Sequence, residues 1–238
     1  MVIAIVAVAA VLVVVLLILI MMGGAANSGV STGGDMTEDP NFDPTSIGVT
    51  TDCLFFNRNA KVANLLRNDT GFPARLTYWS RQLGYTQNDM MAMFNIECSF
   101  NFNVVNAFGC GGMFQLCPPE VGGPATSVIG IRPRPLAMLP PSGQLPYMYR
   151  YFRAMGCDRD PPAAKTPTHA YLCVFLPAYR NVKPSTRIWR RGNNPLHDVD
   201  NDGWIYKWEV DCNMTSSYAI GATSCGFKLP RCSQSKVK

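Results

Sequence analysis

Residues 94–118, FNIECSFNFNVVNAFGCGGMFQLCP, decide how the rest of the chain is interpreted. The stretch begins as the end of an apolar helix that carries one acid, Glu97. A turn follows, and Gly109, Gly112 and Gln115 then recur at intervals of three residues before a proline closes the segment. Glycines permit positive φ and let the backbone approach a ligand closely. The stretch therefore predicts an acid at a helix end beside a glycine-rich loop that can approach a ligand closely.

Glu97 has an apolar environment within its own predicted helix. Met90, Met93 and Phe94 precede it by seven, four and three residues and therefore share its helical face. Apolar surroundings raise the pKa of a carboxyl group because they disfavour its charged form. A glycosidase needs such an acid, still protonated near neutral pH, to protonate the departing sugar. The alternative interpretation is an ordinary acid at a helix C-terminus followed by an ordinary loop.

The combined pattern resembles the core motif of the lytic transglycosylase family, the SLT domain, which has a lysozyme-like fold. That motif is written loosely as Glu-Ser-x-Phe, Pro, Asn, Gly-Ala-x-Gly-Leu-x-Gln-x-x-Pro. The residues in register with it are Glu97, Phe100, Asn106, Gly109, Gly112, Gln115 and Pro118. Two positions depart from the motif: Cys98 stands where the family usually has serine, and Phe102 stands where it usually has proline.

This resemblance implies a peptidoglycan lytic transglycosylase that cleaves the β-1,4 bond between N-acetylmuramic acid and N-acetylglucosamine. Glu97 would protonate the glycosidic oxygen and then act as base on the muramyl 6-hydroxyl, giving a 1,6-anhydro product. No second carboxylate stands at an obvious spacing, which fits a single-acid mechanism assisted by the substrate's acetamido group. The substrate-binding residues implied by the resemblance are Ser99, Gly109, Gly112, Gln115 and Tyr171.

Two downstream segments extend the resemblance to phage-type members of the family. Residues 144–156, QLPYMYRYFRAMG, are similar to a Gln-Leu-x-Tyr-Val-x-x-Tyr segment of those proteins. Residues 168–179, THAYLCVFLPAY, are similar to a helix packed behind the cleft, and Tyr171 matches its tyrosine. A tyrosine near the acid orients the acid or the substrate in related enzymes, and core packing is the alternative for Tyr171. An Asn-Pro-x-x-Asp-x-Asp-x-Asp-Gly ending at residues 194–203 is also similar to these proteins and extends the match over roughly residues 60–211.

Residues 198–209, DVDNDGWIYKWE, have the spacing of an EF-hand calcium loop. Carboxylates at alternate positions converge on a hard cation, a glycine makes the sharp turn, and a final glutamate closes the site. The predicted ligands are Asp198, Asp200, Asp202, the backbone carbonyl of Trp204, and Glu209. We expect a structural Ca²⁺ ion in a single loop whose flanking helices are short or absent. A solvated acidic turn is the alternative.

The N-terminus predicts a membrane anchor and a tether. Residues 2–22 contain no polar side chain, and a helix of about 21 residues spans about 31 Å, the thickness of a bilayer core. No Lys or Arg precedes this run, which disfavours the alternative of a cleaved signal peptide. Residues 23–51 are rich in Gly, Ser, Thr, Asp and Pro and predict a flexible tether. The expected organisation is an anchor at 1–22, this tether, and a catalytic domain at 52–238.

Charge narrows the classes of partner. From Arg58 onward the chain carries 21 basic and 11 acidic residues, because five of its 16 acidic residues precede that position. Such a domain is expected to be attracted to polyanions such as cell-wall polymer or anionic lipid. A charged surface that only keeps the protein in solution is the alternative. Nucleic acid is disfavoured as a partner, since Lys and Arg are scattered and no binding motif appears.

Nine cysteines indicate an oxidising compartment and disulfide bonds, and no zinc-type Cys-x-x-Cys pair is present. Because nine is odd, at least one cysteine is free or pairs between chains. Cys225 and Cys232 could close a small loop in the cysteine-rich tail. Cys98 beside the acid could be a nucleophile, but the two histidines, His169 and His197, lie in no cysteine-hydrolase context.

These patterns predict a mainly α fold: a lysozyme-like helical domain with an EF-hand-like calcium loop, preceded by a single N-terminal transmembrane helix. Helices are expected at Asp52–Leu66, Pro73–Leu83, Thr86–Glu97, Gln144–Gly156 and within 168–179. The Pro- and Gly-rich residues 118–143 exclude a long regular element and predict a rim over the substrate cleft. A mobile insertion without a functional role is the alternative.

The expected function is local cell-wall penetration by a protein anchored in the membrane of a membrane-containing phage. A bacterial inner-membrane enzyme facing the periplasm fits the same sequence features. The expected partners are peptidoglycan, the lipid bilayer and other virion proteins. Two alternatives stay open: a hydrolysing lysozyme (muramidase), and a catalytically silent, calcium-stabilised wall-binding or structural virion protein.

Overall fold

Eight α-helices and a two-stranded sheet make up the part of the chain that the computed structural model describes, residues 59–193 and 197–222. In chain order the helices are α1 (Ala60–Asn68), α2 (Phe72–Leu83), α3 (Gln87–Cys98), α4 (Thr126–Ile129), α5 (Pro133–Met138), α6 (Pro141–Ala154), α7 (Pro167–Phe175) and α8 (Lys207–Ala222). The strands β1 (Arg187–Arg190) and β2 (Trp204–Tyr206) pair antiparallel. The expectation of a mainly α fold is confirmed.

Helix α3, which carries the candidate acid, packs against α2, α7 and α8. Its start is fixed by the predicted capping box. Thr86 Oγ1 accepts a hydrogen bond from Asp89 N at 3.2 Å, and the Asp89 carboxylate accepts one from Thr86 N at 2.8 Å. Met90, Met93 and Phe94 are fully buried, as the sequence predicts. A helix covered on several sides by other helices is held chiefly by this apolar burial.

Two helix starts differ from the sequence prediction. Helix α1 begins at Ala60, where the Asn59 side chain accepts a hydrogen bond from Lys61 N at 2.9 Å, and residues 52–58 lie outside the described part of the chain. Helix α6 begins at Pro141 rather than Gln144, because proline is well suited to the first helical position. Between α3 and α6 the helices are only four and six residues long, consistent with the Pro- and Gly-rich composition of that segment.

The expectation that short or absent helices flank the acidic loop is wrong on its C-terminal side. Helix α8 is 16 residues long and includes the last residue of the loop, Glu209. Residues 210–222, VDCNMTSSYAIGA, contain several weak helix formers, so propensity alone gives little signal. Packing of α8 against α3 and α7, with Val210 and Met214 buried, supplies the stabilisation that local sequence lacks.

Disulfide bonds join Cys110 to Cys117 and Cys157 to Cys173, which confirms the expectation of disulfides. Among the cysteines that the structure describes, Cys98 is free, and its side chain is buried. The predicted loop between Cys225 and Cys232 lies outside the described residues.

None of the described helices is both long enough and apolar enough to cross a bilayer. The predicted anchor at 1–22 and tether at 23–51 fall outside the residues that the structure describes.

Candidate active site

Glu97 lies in the last turn of α3, one residue before the helix ends. Its side chain is half-buried, but its Oε1 is shielded from solvent and has no hydrogen-bond partner among the described residues. Burial raises the pKa of Glu97 to about 8, because a charged carboxylate would lose its hydration there. A carboxyl group with this pKa is largely protonated at neutral pH and can donate a proton to a reacting oxygen.

A strained turn follows the acid directly. Ser99 has φ 49° and Phe100 has φ 60°, in a region that bulky side chains rarely adopt. The turn is held from two sides: Lys61 Nζ donates a hydrogen bond to Ser99 O at 3.1 Å, and the Phe100 ring is buried. Ser99 itself is exposed at the end of α3. Backbone strain of this kind is often found at functional sites.

Tyr151 of α6 is a neighbour of Glu97 that the sequence analysis did not single out. Burial raises the pKa of Tyr151, and the negative charge of ionised Glu97 raises it further. Its hydroxyl donates a hydrogen bond to Val174 O at 3.1 Å, and Phe114 of the glycine-rich loop packs on its ring at 5.4 Å between centroids. Tyr151 therefore packs against the glycine-rich loop and lies close enough to Glu97 to be affected by its charge. It is the last tyrosine of the QLPYMYRY segment, whose resemblance to a phage-type motif was the signal that could have found it.

The glycine-rich loop is held together by its own polar groups. Asn106 Oδ1 accepts hydrogen bonds from Phe108 N at 2.9 Å and Cys110 N at 3.1 Å, and Asn106 Nδ2 donates to Gln115 Oε1 at 3.2 Å. Gln115 Nε2 donates to Gly112 O at 3.0 Å. The disulfide to Cys117 closes the same loop. Gln115 is thus bonded within the loop and is half-buried.

Two of the three glycines of this loop adopt positive φ, 79° at Gly109 and 80° at Gly112. These glycines allow the loop backbone to approach other parts of the protein closely. A Cβ at Gly112 would lie 2.8 Å from Gln144 Oε1, and one at Gly111 would lie 2.9 Å from Pro133 O. Two of the glycines therefore let the loop pack against α5 and α6, in addition to any role beside a sugar.

Tyr171 is buried in α7, where its hydroxyl shares a hydrogen bond with His197 Nε2 at 2.9 Å. Its ring stacks on Phe175 at 5.5 Å between centroids. These contacts place Tyr171 in the core between α7 and the start of the acidic loop, which agrees with the packing role left open from the sequence.

Cys98 has the environment of a structural thiol. Its Sγ donates a hydrogen bond to Phe94 O at 3.2 Å, and burial raises its pKa to about 12. A thiol with this pKa stays protonated at neutral pH and is a poor nucleophile. His169 is occupied elsewhere, with Nδ1 2.6 Å from Tyr85 Oη and Nε2 3.0 Å from Asp160 Oδ2. The structure therefore gives a cysteine nucleophile no support.

The acidic loop brings three of its five predicted calcium ligands together. One carboxylate oxygen from each of Asp198, Asp200 and Asp202 lies within 4.8 Å of the others. Positive φ at Asn201 (60°) and Gly203 (88°) makes the tight turn that converges them. An all-oxygen set of this geometry suits a hard cation such as Ca²⁺.

Glu209, the last predicted ligand, is held by backbone groups of the loop. It is fully buried, and its Oε1 accepts hydrogen bonds from Val199 N at 2.7 Å and Asp200 N at 3.3 Å. Its Oε2 accepts one from Tyr206 N at 2.7 Å. Glu209 thus ties both ends of the loop to the start of α8 through backbone groups, and it stands outside the cluster of three carboxylates.

The described residues therefore include an acid with a raised pKa, a strained turn, a hydrogen-bonded glycine-rich loop and a tyrosine that packs on that loop. Function has to be inferred from the chemistry of these groups. Comparison of this chain with models of known families, with curated proteins and with solved structures finds no match.

Proposed function

We propose that this protein is a peptidoglycan lytic transglycosylase with a lysozyme-like helical domain and Glu97 as its single acid–base residue. One observation supports the proposal most directly. Glu97 Oε1 is shielded from solvent and has no hydrogen-bond partner among the described residues. The pKa of about 8 supplies the protonated form at neutral pH. A buried acid without an internal partner costs stability, and a catalytic role gives a reason to keep it.

In the proposed reaction, Glu97 donates its proton to the glycosidic oxygen as the bond to C1 of N-acetylmuramic acid breaks. The acetamido group of the substrate helps to stabilise the positive charge that develops at C1. The resulting Glu97 carboxylate takes the proton of the 6-hydroxyl as that oxygen attacks C1, which closes the 1,6-anhydro ring. If water replaced the 6-hydroxyl as acceptor, the same acid would give a hydrolysing lysozyme.

Zymography on purified cell wall tests the role of Glu97. We expect Glu97→Gln to lower activity by about 10²- to 10⁴-fold, the usual contribution of a general acid–base group. The matched control is Asp211→Asn, because Asp211 lies on α8, pairs with Lys207 and has no part in the proposed site. Equal digestion by Glu97→Gln and wild type overturns the proposal, as does the absence of digestion by wild type. Mass spectrometry of the released fragments distinguishes anhydro ends from reducing ends.

Two further features belong to the same proposal. Asp198, Asp200 and Asp202 would hold a structural Ca²⁺ ion, which would neutralise their mutual repulsion and stiffen the loop that leads into α8. Residues 1–22 would anchor the enzyme in a phage virion membrane or in a bacterial inner membrane facing the periplasm. A wall substrate and a membrane anchor are compatible with the basic charge of the chain from Arg58 onward.

A further inference from the structure

The hairpin of β1 and β2 carries two arginines and two aromatic rings that contact one another. Arg187 is paired with Tyr206, and Arg190 is paired with Trp204. We call these four residues the arginine–aromatic face. Both arginines are exposed, and both rings are half-buried.

The aromatic rings hold the two guanidinium groups in place. Arg187 Cζ lies 4.9 Å from the centre of the Trp204 ring and 5.7 Å from that of Tyr206. Arg190 Cζ lies 4.8 Å from the same Trp204 ring. Arg187 Nε also donates a hydrogen bond to Tyr206 Oη at 2.9 Å. Arginines that are already positioned lose less conformational entropy when they bind an anion.

Among acidic residues, Asp202 acts on Arg187 through its charge but forms no ion pair with it. Within the described part of the chain, neither Arg187 nor Arg190 forms an ion pair with a carboxylate, whereas their neighbour Arg191 pairs with Asp198. A guanidinium that lies over a ring keeps its N–H edge available for a carboxylate, which it can bind with two parallel hydrogen bonds.

The hairpin is fixed to the element that carries the candidate acid. Ile188 and Ile205 of the two strands are buried in the core. Strand β2 runs directly into α8, and α8 packs against α3, the helix of Glu97. The arginine–aromatic face is therefore joined to the proposed catalytic helix through β2 and α8.

We propose that the arginine–aromatic face is a docking surface for the carboxylates of the peptide stems of peptidoglycan, an inference that rests on the function proposed above. Charge complementarity carries it: the face presents two preorganised guanidinium groups, and the glycan that Glu97 would cleave bears acidic peptide stems. A second contact on an insoluble polymer increases the residence time of the enzyme without any change at the acid.

The test is co-sedimentation of the full-length protein, in detergent, with purified cell-wall sacculi. All variants carry Glu97→Gln so that the wall is not consumed. We expect the double variant Arg187→Gln/Arg190→Gln to bind about tenfold more weakly, since exposed charge pairs each contribute modestly. The matched control, Arg67→Gln/Arg81→Gln, removes the same charge from exposed positions on α1 and α2 and should bind within about twofold of the parent.

Further arms of the experiment identify the ligand. Amidation of the wall carboxylates should weaken binding of the parent to the level of the Arg187→Gln/Arg190→Gln variant, and added salt should weaken it as well. Unchanged binding by that variant, or no effect of amidation, overturns the inference. The inference is also overturned if the Arg187→Gln/Arg190→Gln variant loses more binding to anionic lipid vesicles or single-stranded DNA than to sacculi. Digestion by protein with an intact Glu97 is measured separately: arginine-dependent binding without digestion would reject the proposed enzyme and retain the docking surface.

Discussion

Glu97 couples the stability of the fold to pH. In the folded chain its pKa is raised to about 8 from an ordinary value of 4.5. Between those values the folded state keeps a proton that the unfolded chain has released, so the free energy of unfolding falls as pH rises. The upper limit for one group is about 1.4 kcal/mol per pH unit, and the loss ends once the pH exceeds the folded pKa.

Denaturant unfolding of wild type and Glu97→Gln over this pH range checks the prediction. Glutamine keeps the shape of the side chain and cannot ionise, so the difference between the two proteins isolates the titration of Glu97. We expect wild type to lose stability relative to Glu97→Gln as pH rises from about 4.5 to about 8. A difference that stays constant with pH would contradict the raised pKa. The activity of wild type should also fall above about pH 8, where the acid loses its proton.

Cys98→Ser separates the proposed acid from a cysteine nucleophile. A serine hydroxyl can donate the hydrogen bond that the thiol donates to Phe94 O, so we expect wall digestion to be retained. The free energy of unfolding should change by about 1 kcal/mol or less, because the change in volume is small. Zymography and thermal unfolding give the two readouts. Loss of digestion in a folded Cys98→Ser protein would show that the thiol takes part in the reaction.

Among the elements, the glycine-rich loop depends on its fit against α6. Gly112 and Gly122 both have positive φ, so alanine is strained at either position. A Cβ at Gly112 would also lie 2.8 Å from Gln144 Oε1, whereas nothing lies within 4 Å of one at Gly122. Gln144 cannot move freely, because its Oε1 accepts a hydrogen bond from Met113 N and its Nε2 donates one to Phe102 O.

We therefore expect Gly112→Ala to destabilise the fold by about 1–3 kcal/mol more than Gly122→Ala, as overpacking does in a tight interior. Thermal unfolding of both variants measures the difference, and zymography shows whether the loop matters for wall digestion. Equal melting temperatures would mean that the loop moves to accommodate the extra carbon. In that case the contact with Gln144 would not determine the position of the loop.

The same elements show which structural features can be predicted from the sequence. The capping box at Thr86 and the buried wall of α3 depend on spacing within one helix, and spacing along a helix can be read directly. The proximity of Tyr151 to Glu97 and the contact of Gly112 with Gln144 join segments that are distant in the chain. Local patterns contain no information about such contacts. The length of α8 cannot be predicted from its local sequence either, because packing against distant segments, rather than helix propensity, stabilises it.

For the molecule as a whole, the acidic loop joins the hairpin to the helical core. It begins beside His197, which contacts Tyr171 of α7, and it ends in α8, which packs on α3. Glu209 already connects the two ends of the loop through backbone hydrogen bonds. Binding of Ca²⁺ by the three aspartates would therefore stabilise a region that touches both α7 and α3.

Binding of calcium should raise the melting temperature of the whole described domain. Its effect should not be limited to ordering one loop. A ligand present at about 100 times its dissociation constant stabilises the folded state by about 2.7 kcal/mol, which corresponds to about 5–10 °C in a domain of this size. Differential scanning calorimetry with Ca²⁺ and with a chelator measures the shift. Asp200→Ala should abolish the shift because it removes one converging carboxylate, while Asp211→Ala, which lies outside the cluster and pairs with Lys207, should keep it. If chelation leaves the wild-type transition unchanged, Glu209 and the backbone hold the loop without a metal, and the three aspartates are a solvated turn.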